Sequence, residues 1–468
     1  MRLFEEELQV LNVGLSSFAD EIVQAGGKAT HITWTPPADG DRAAGLSLAR
    51  LINDVEVEAA NREAFAAYLN AQPELVGIAL ARDIVPGMNQ RRILHSGPPI
   101  QWRGMCGPMK GAIIGALLLE GWASDEQDAV RLAEGEEVEF APCHHHGAVG
   151  PMAGVISPSM PVWIVRDPAS GHQTFSNLNE GLGKVLRFGA NGPDVINRLR
   201  WLASTLYRVL EAALTETGVI EIKPLIAQAL NMGDEVHNRN AAATSLLLRR
   251  MVPAMLRSRV EREEVASAVS FIADNDHFFL NISMAACKLM LDAARDIPGS
   301  SVITAMARNG VEFGIQMSGT GDRWFAAPAP LVNGLYFPGY SIADAAPDLG
   351  DSAITETAGL GGFAMAAAPV IVSFVGGTPD EAIANTAMMG HITLGRNSAL
   401  TLPAMNFSGT PAGIDARKVV DTGILPVINT GIAHRKPGIG QIGAGITRAP
   451  LQCFTQAVTA LAATLADK

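Results

Sequence analysis

The stretch LQVLNVGLSSFADEIVQAGGKATHITWTPPADGD, residues 8–41, decides how the chain begins to fold. LQVLNVGL is a short apolar run that ends near Gly14, and SSFADEIVQAG follows with Ser16 or Ser17 placed to cap a helix. THITWT then alternates as a strand does and breaks at Pro36–Pro37. Strand, helix and strand within about 30 residues begin a βαβ unit. Further on, NREAFAAYLN reads as a helix and ELVGIAL as a strand. Residues 1–95 are therefore expected to form a small Rossmann-like parallel sheet. Only NVGLSS follows the first strand, not GxGxxG, so no dinucleotide site is expected there.

Working outward, residues 96–190 are rich in Gly and Pro and hold GMCGPMKGAIIGALLLEG, a histidine run and the strand PVWIV. They read as an α+β domain. Residues 191–295 read as an inserted all-helical module. Asn191–Gly192–Pro193–Asp194 opens a helix with Pro in its first turn, and Leu199, Leu202, Leu206 and Leu210 recur at helical spacing. Residues 296–468 return to strands and glycine-rich loops, an α+β domain ending in the helix PLQCFTQAVTALAATLAD. The expected fold class is thus α/β and α+β, multidomain, and no internal repeat is present.

Composition narrows the function classes. Of 468 residues, 48% are apolar and 18% charged, a globular composition. The net charge of −12, with no Lys/Arg run, excludes a nucleic-acid partner. Cys106, Cys143, Cys287 and Cys453 are far apart and form no CxxC pair, which argues against a disulfide framework or zinc knuckle and for a reducing cytoplasm. MRLFEEELQ has no apolar h-region and predicts no signal peptide. The uncharged segment Thr357–Thr378 is long enough to span a bilayer. It is mostly Gly and Ala, contains Pro369 and lacks basic flanks, so a buried helix followed by a buried strand, PVIVSFVGG, is expected and no membrane role.

Five constellations carry chemistry-bearing side chains. APCHHHGAVGPMAGVISPSMP, residues 141–161, holds three of the chain's ten histidines. If 143–148 is extended, His144 and His146 share one face and Cys143 and His145 the other. Such an HxH pair grips a divalent metal only with further ligands. Acid/base chemistry on an anionic substrate suits imidazole better, and packing against the Gly/Pro turn is the plain structural reading. GDEVHNRNAAATSLLLRR, 233–250, puts His237, Asn238 and Arg239 at the head of a helix. There Asp234 would cap, Glu235 would pair with Arg239, and an anion could bind. FGIQMSGTGDRWFAAPAP, 313–330, places Asp322 and Arg323 after a glycine turn; Arg there holds a carboxylate or phosphate, or the whole is an ordinary hairpin. LGDSAITETAGLGGFA, 349–364, offers Glu356 as a general base, or caps only. PGIGQIGAGITRAP, 437–450, spells GxGxxG through Gly438, Gly440 and Gly443, but no βαβ unit fits behind it. Beside Arg435, Gly440 and Gly443 could still cradle a phosphate. The Walker pattern is absent.

Taken together, SSFADEIVQAGGKATHITWTPPADGD, CHHHGAVGPMAGVISPSMPV, GDEVHNRNAAATSLLLRR, FGIQMSGTGDRWFAAPAP, GDSAITETAGLGGFAMAAAP and KPGIGQIGAG resemble the YlbE-like family of bacterial proteins across essentially the whole chain. That family is long catalogued as a domain of unknown function. The resemblance implies a subunit of oxamate carbamoyltransferase in allantoin and purine breakdown, partnered by FdrA, a protein resembling an acyl-CoA synthetase subunit. The implied reaction is oxalurate plus phosphate giving oxamate and carbamoyl phosphate. It assigns no catalytic residue. The STRTR loop of ordinary carbamoyltransferases is missing, so this would be an unrelated kind. The expected ligands are small anions, with no resident cofactor beyond a divalent metal at the HxH pair, and a homo- or hetero-oligomer is expected. The candidate catalytic residues are His144, His145, His146, His237 and Glu356. The candidate binding residues are Asn238, Arg239, Asp322, Arg323, Arg435, Gly440 and Gly443. The rival readings are a metal-dependent amidohydrolase and a non-catalytic partner of the FdrA-like subunit.

Overall fold

A computed structural model describes residues 9–32, 34–88, 91–373 and 377–466. It opens as the sequence predicts: Gln9–Val13 and Lys28–Ile32 pair in parallel, with the helix Ser16–Gln24 between them. Neither serine caps that helix; Leu15 occupies the cap position and both serines lie in the first turn. The third predicted strand, Glu74–Leu80, does not extend the parallel pair. Two helices, Arg42–Leu51 and Val55–Asn70, carry the chain away, and the strand pairs antiparallel with Pro161–Arg166. Its apolar positions gain more there, because PVWIVR is a nearly continuous buried run. The resulting mixed five-stranded sheet runs Ala148–Val149, Gln173–Asn177, Pro161–Arg166, Glu74–Leu80, Ile220–Glu221.

Helices dominate residues 193–292. Pro193–Trp201 passes through a π-turn at Leu202–Leu206 into Tyr207–Thr217, and Leu199, Leu202, Leu206 and Leu210 are all buried. The helix Leu280–Asp292 is buried on every side, packed on the strands Pro161–Arg166 and Gln173–Asn177. Beyond it lie a four-stranded antiparallel sheet and a three-stranded one. The first runs Phe325–Pro328, Glu312–Met317, Ile303–Asn309, Leu349–Gly350, and the second Asn333–Tyr336, Gln441–Arg448, Val427–Ala433.

The uncharged segment after Glu356 is buried as expected, but it is neither one helix nor a strand. Short turns at Gly361–Phe363 and Met365–Ala367 lead to a single helical turn, Val370–Ser373, where the strand PVIVSFVGG was expected. Glycines and Pro369 deny it a continuous helix. Residues 374–376 of that expected strand, and the N-terminal 1–8 that bear on export, lie outside the described residues. Among the described residues no helix is long and apolar enough to cross a membrane.

One buried ion pair fixes the approach to this segment. Arg308 grips Asp348 with two hydrogen bonds, Nε to Oδ2 at 2.6 Å and Nη2 to Oδ1 at 3.0 Å, and its Nη1 donates to the Gly350 carbonyl at 2.7 Å. Both side chains are fully buried. A bidentate fork of this kind sets direction as well as distance.

Candidate functional site

A cavity of about 380 Å³ opens where the loops 151–152 and 182–188, the helical stretch, and the sheet containing Gln441–Arg448 meet. Its polar groups are few: Arg187, His237, Asn238, His277, Tyr336, Ser352 and Gln441. Such a mix, apolar walls with a handful of convergent polar groups, is the usual form of a small-molecule site.

His237 is held from below. Its Nδ1 lies 2.7 Å from Glu356 Oε1, an oxygen that also accepts the Gly362 N–H at 2.9 Å and the Asn429 N–H at 3.1 Å. Glu356 Oε2 accepts from the Thr355 hydroxyl at 3.0 Å. With Nδ1–H donated to the carboxylate, the lone pair of His237 sits on Nε2, the tautomer a general base requires. Gly361 makes this approach feasible, since a Cβ there would lie 2.1 Å from Glu356 Oε1. The preceding residue, Val236, has φ of +63° and is fully buried. A β-branched residue in the left-handed region is strained, and strain of this kind collects at functional sites. Met152, on the cavity wall, shares the feature at φ of +55°.

Glu235 completes the loop. Its carboxyl accepts the backbone N–H of His237 at 2.9 Å and of Arg239 at 2.8 Å. Burial, joined by the neighbouring Glu356, pushes it up to about 7 despite the pull of His237. The pairing expected between the Glu235 and Arg239 side chains is therefore corrected. Residues 235–239 form a loop rather than a helical turn, so Glu235 meets backbone. The Arg239 guanidinium lies 3.5 Å from Asp234 instead, and Asp234 also accepts from Ala243 N to cap Ala241–Arg257.

Arg187 is the cation of the cavity. It is buried, with Nε and Nη2 both donating to the Gly181 carbonyl at 3.1 and 2.6 Å. Among the described residues no carboxylate lies within ion-pair distance of its guanidinium. Glu180 accepts from the backbone N–H groups of Leu186 and Arg187 instead. Burial lowers Arg187 to about 10. A buried cation without a directly bonded counter-ion is costly unless an anion arrives. His277 stands near, pushed down to about 3 by burial and by the charges of Arg187 and His237, and its buried Nδ1 has no hydrogen-bond partner among the described residues. It is thus a neutral wall group.

The histidine run lies elsewhere, in an open cleft of about 660 Å³ lined also by His172, Asp292, Arg295 and Asp322. Residues 143–146 form a 3-10 turn ended by Gly147 in the left-handed region, not the extended run that would put His144 and His146 on one face. His144 is buried and faces Asp351 at 3.6 Å; burial holds it well below the usual imidazole range. Asp351, accepting from Gly97 N and Gly150 N, is itself raised to about 7 by burial. His145 Nε2 accepts from the Trp324 indole at 2.9 Å, and His146 Nδ1 donates to the Pro86 carbonyl at 2.7 Å. Among the described residues no group of three or more His, Cys, Asp or Glu is placed to hold a metal ion, so the HxH reading lacks its ligand set.

The remaining candidates separate. Asp322 pairs with Arg295 at the rim of the histidine cleft. Arg323 is exposed and lies over the Phe325 ring, 4.9 Å from its centre. Arg435 is exposed, and Gly443 sits mid-strand in Gln441–Arg448, paired on both sides, so its N–H belongs to the sheet. Gly440 abuts the Gly183 carbonyl. The phosphate cradle expected at Gly440 and Gly443 is therefore absent, because the strand begins at Gln441. Sequence reading missed Arg187, His277 and Ser352. A lone Arg inside the apolar run KVLRFGA was the one available signal for the first.

The fold and the cavity define a mixed α/β protein with a carboxylate-braced histidine and a buried arginine that has no bonded carboxylate among the described residues. The family model of the oxamate carbamoyltransferase subunit AllG matches residues 138–352. Escherichia coli K12 AllG, named an oxamate carbamoyltransferase subunit, is 49% identical over 84% of this chain and 94% of its own. YahG of the same strain, an uncharacterized protein, is 45% identical over 97% of both chains. A crystal structure of a conserved protein of unknown function from Enterococcus faecalis V583 superposes with a TM-score of 0.86 at 48% identity, covering 87% of this chain and 98% of that one. The chain belongs to the AllG family.

Proposed function

We propose that this chain is the carbamoyl-handling subunit of a multi-subunit catabolic transferase, working with an FdrA-like partner on oxalurate or a related ureido acid. The observation that carries this reading is the His237–Glu356 pair at the wall of a cavity whose only buried cation, Arg187, has no bonded carboxylate among the described residues. In the proposed step a phosphate oxygen attacks the carbamoyl carbon and the bond from that carbon to the amide nitrogen breaks. His237 Nε2 takes the proton of the attacking phosphate and returns it to the departing nitrogen, giving an amide and carbamoyl phosphate. Arg187 and Asn238 hold the acid end of the substrate, and Glu356 keeps His237 in the required tautomer.

The test supplies oxalurate and phosphate to the purified chain, alone and with an FdrA-like partner, and measures oxamate and carbamoyl phosphate. Product in the mixture, lost by a factor of about 10² or more in His237→Ala, supports the reading. Full activity of a complex carrying His237→Ala and Arg187→Gln together would make this chain a scaffold for the partner's site.

A further inference from the structure

Among the described residues, Asn429 is the one side chain that leaves two buried polar atoms, Oδ1 and Nδ2, without a hydrogen-bond partner. It is fully buried. A carboxamide carries both donors and an acceptor, and each bond left unmade in an apolar interior costs free energy. Nearly all such groups in folded proteins are paired, so an amide orphaned on both atoms calls for a physical reason.

Its place in the fold supplies one. Asn429 lies on the strand Val427–Ala433, two residues before Gly431, and side chains at that spacing share a face. Gly431 lines the cavity. On the neighbouring strand Ile446 stands opposite Asn429 and Ala444 opposite Gly431, and both line the cavity as well. The intervening Thr430 faces away, its hydroxyl donating to Asp348 at 3.0 Å. The orphaned amide is therefore aimed at the cavity from one layer beneath its wall. Its backbone N–H donates to Glu356 Oε1 at 3.1 Å, the same oxygen that lies 2.7 Å from His237 Nδ1. One carboxylate oxygen thus ties this strand position to the imidazole.

We infer that the Asn429 carboxamide reads the carbamoyl group of the substrate. The two groups are complementary. Nδ2–H donates to the carbamoyl oxygen while Oδ1 accepts from the carbamoyl NH2. Negative charge grows on that same oxygen when phosphate attacks, so the donor strengthens along the reaction. A rotamer change in the wall, at Ile446 or at Asn429 itself, brings the groups together. This rests on the proposed reading of the cavity, in which Arg187 holds the acid end of the molecule and His237 is the base.

The experiment titrates the full chain calorimetrically with oxalurate and with oxamate, the same acid without its carbamoyl group. Asn429→Leu removes both polar atoms and keeps the branched shape. It is expected to weaken oxalurate about tenfold or more and to leave oxamate within about twofold. The urea midpoint of the free chain rises, because an apolar side chain replaces an unpaired amide. Asn429→Ser shows the same split between ligands and serves where the leucine variant does not fold. An asparagine that only holds a buried water would lose stability in Asn429→Leu and leave both affinities unchanged, which overturns the inference. Equal weakening of both ligands overturns it too. Arg187→Gln tests the underlying reading separately, since it is expected to weaken both ligands. If both ignore Arg187→Gln while oxalurate alone weakens in Asn429→Leu, the anion site falls and the carbamoyl contact stands. Failure of the unaltered chain to bind either ligand overturns both.

Discussion

The cavity at His237 and the cleft at His144–His146 contain the same kinds of side chain and differ in how their bonds are used. In the cleft the charges are matched by acids, although His144 Nε2 and Arg295 Nε have no hydrogen-bond partner among the described residues. His145 takes the Trp324 N–H, His146 gives to Pro86, His172 meets Asp292 at 3.1 Å, and Lys288 and Arg295 are matched by Asp292 and Asp322. In the cavity the cation itself lacks a bonded acid. His237 spends one nitrogen on Glu356, Arg187 has no bonded acid among the described residues, and His277 Nδ1 has no partner. A run of three histidines draws the eye in the sequence, but a buried cation without a bonded acid marks a site better than residue type does.

The largest expected effect tests that contrast directly. Once transfer activity is measurable, His237→Ala or Glu356→Gln lowers kcat/KM by about 10²–10⁴, whereas His145→Ala and His146→Ala change it less than tenfold. Equal losses from both groups would erase the distinction between the regions.

Next comes Arg308, whose fork on Asp348 holds the backbone that leads to both Asp351 and Glu356. Arg308→Ala leaves a buried carboxylate unpaired and is expected to cost about 3–5 kcal/mol, read from urea midpoints. If stability were unchanged, the segment would not need its anchor, and the two regions would be positioned by other contacts.

A smaller and pH-dependent effect belongs to Glu235. Its folded value of about 7 lies above the usual 4.5 of a glutamate, so the stability it contributes is full below about pH 4.5 and is lost as pH rises through 7. Measured against Glu235→Gln, wild type therefore loses up to about 3 kcal/mol between pH 4.5 and 8. Asp351 adds a loss of the same sign. His144 and His277, lowered in the fold, act oppositely: their contribution is full above about pH 6.5 and fades as pH falls. A pH-independent difference between wild type and Glu235→Gln would remove the buried proton at that position.

The smallest effect is at Arg323. It lies on the surface over Phe325, and Arg323→Gln is expected to change stability by under 0.5 kcal/mol and leave ligand binding unaltered.

Much of the fold was legible because it is written in local periodicity. The leading βαβ pattern, the helices between 193 and 292 and the hairpin at SGTGD all appear where apolar spacing places them. Strand partners were not legible. ELVGIAL has the right pattern for a strand, yet its choice of PVWIVR over the first two strands depends on residues more than about 80 positions on, from Leu80 with Pro161 to Glu74 with Arg166. The site divides the same way. His237, Asn238 and Glu356 stood out as dense polar clusters beside apolar runs. Arg187 did not, because one arginine in KVLRFGA looks like an ordinary solvated charge until the chain buries it. The HxH geometry failed for a local reason, since Gly147 lets the three histidines close into a turn.

The bond between His237 and Glu356 joins positions 119 apart in the chain. Contacts of such separation are closed late, because the entropy of the intervening loop is spent before the contact returns anything. A growing chain that has not passed residue 356 can already hold the helices that flank the His237 loop, but it has no carboxylate to fix the imidazole. On the proposed role of His237, reactivity comes only with a finished fold, and incomplete or proteolysed chains are left inert without any separate inhibitor.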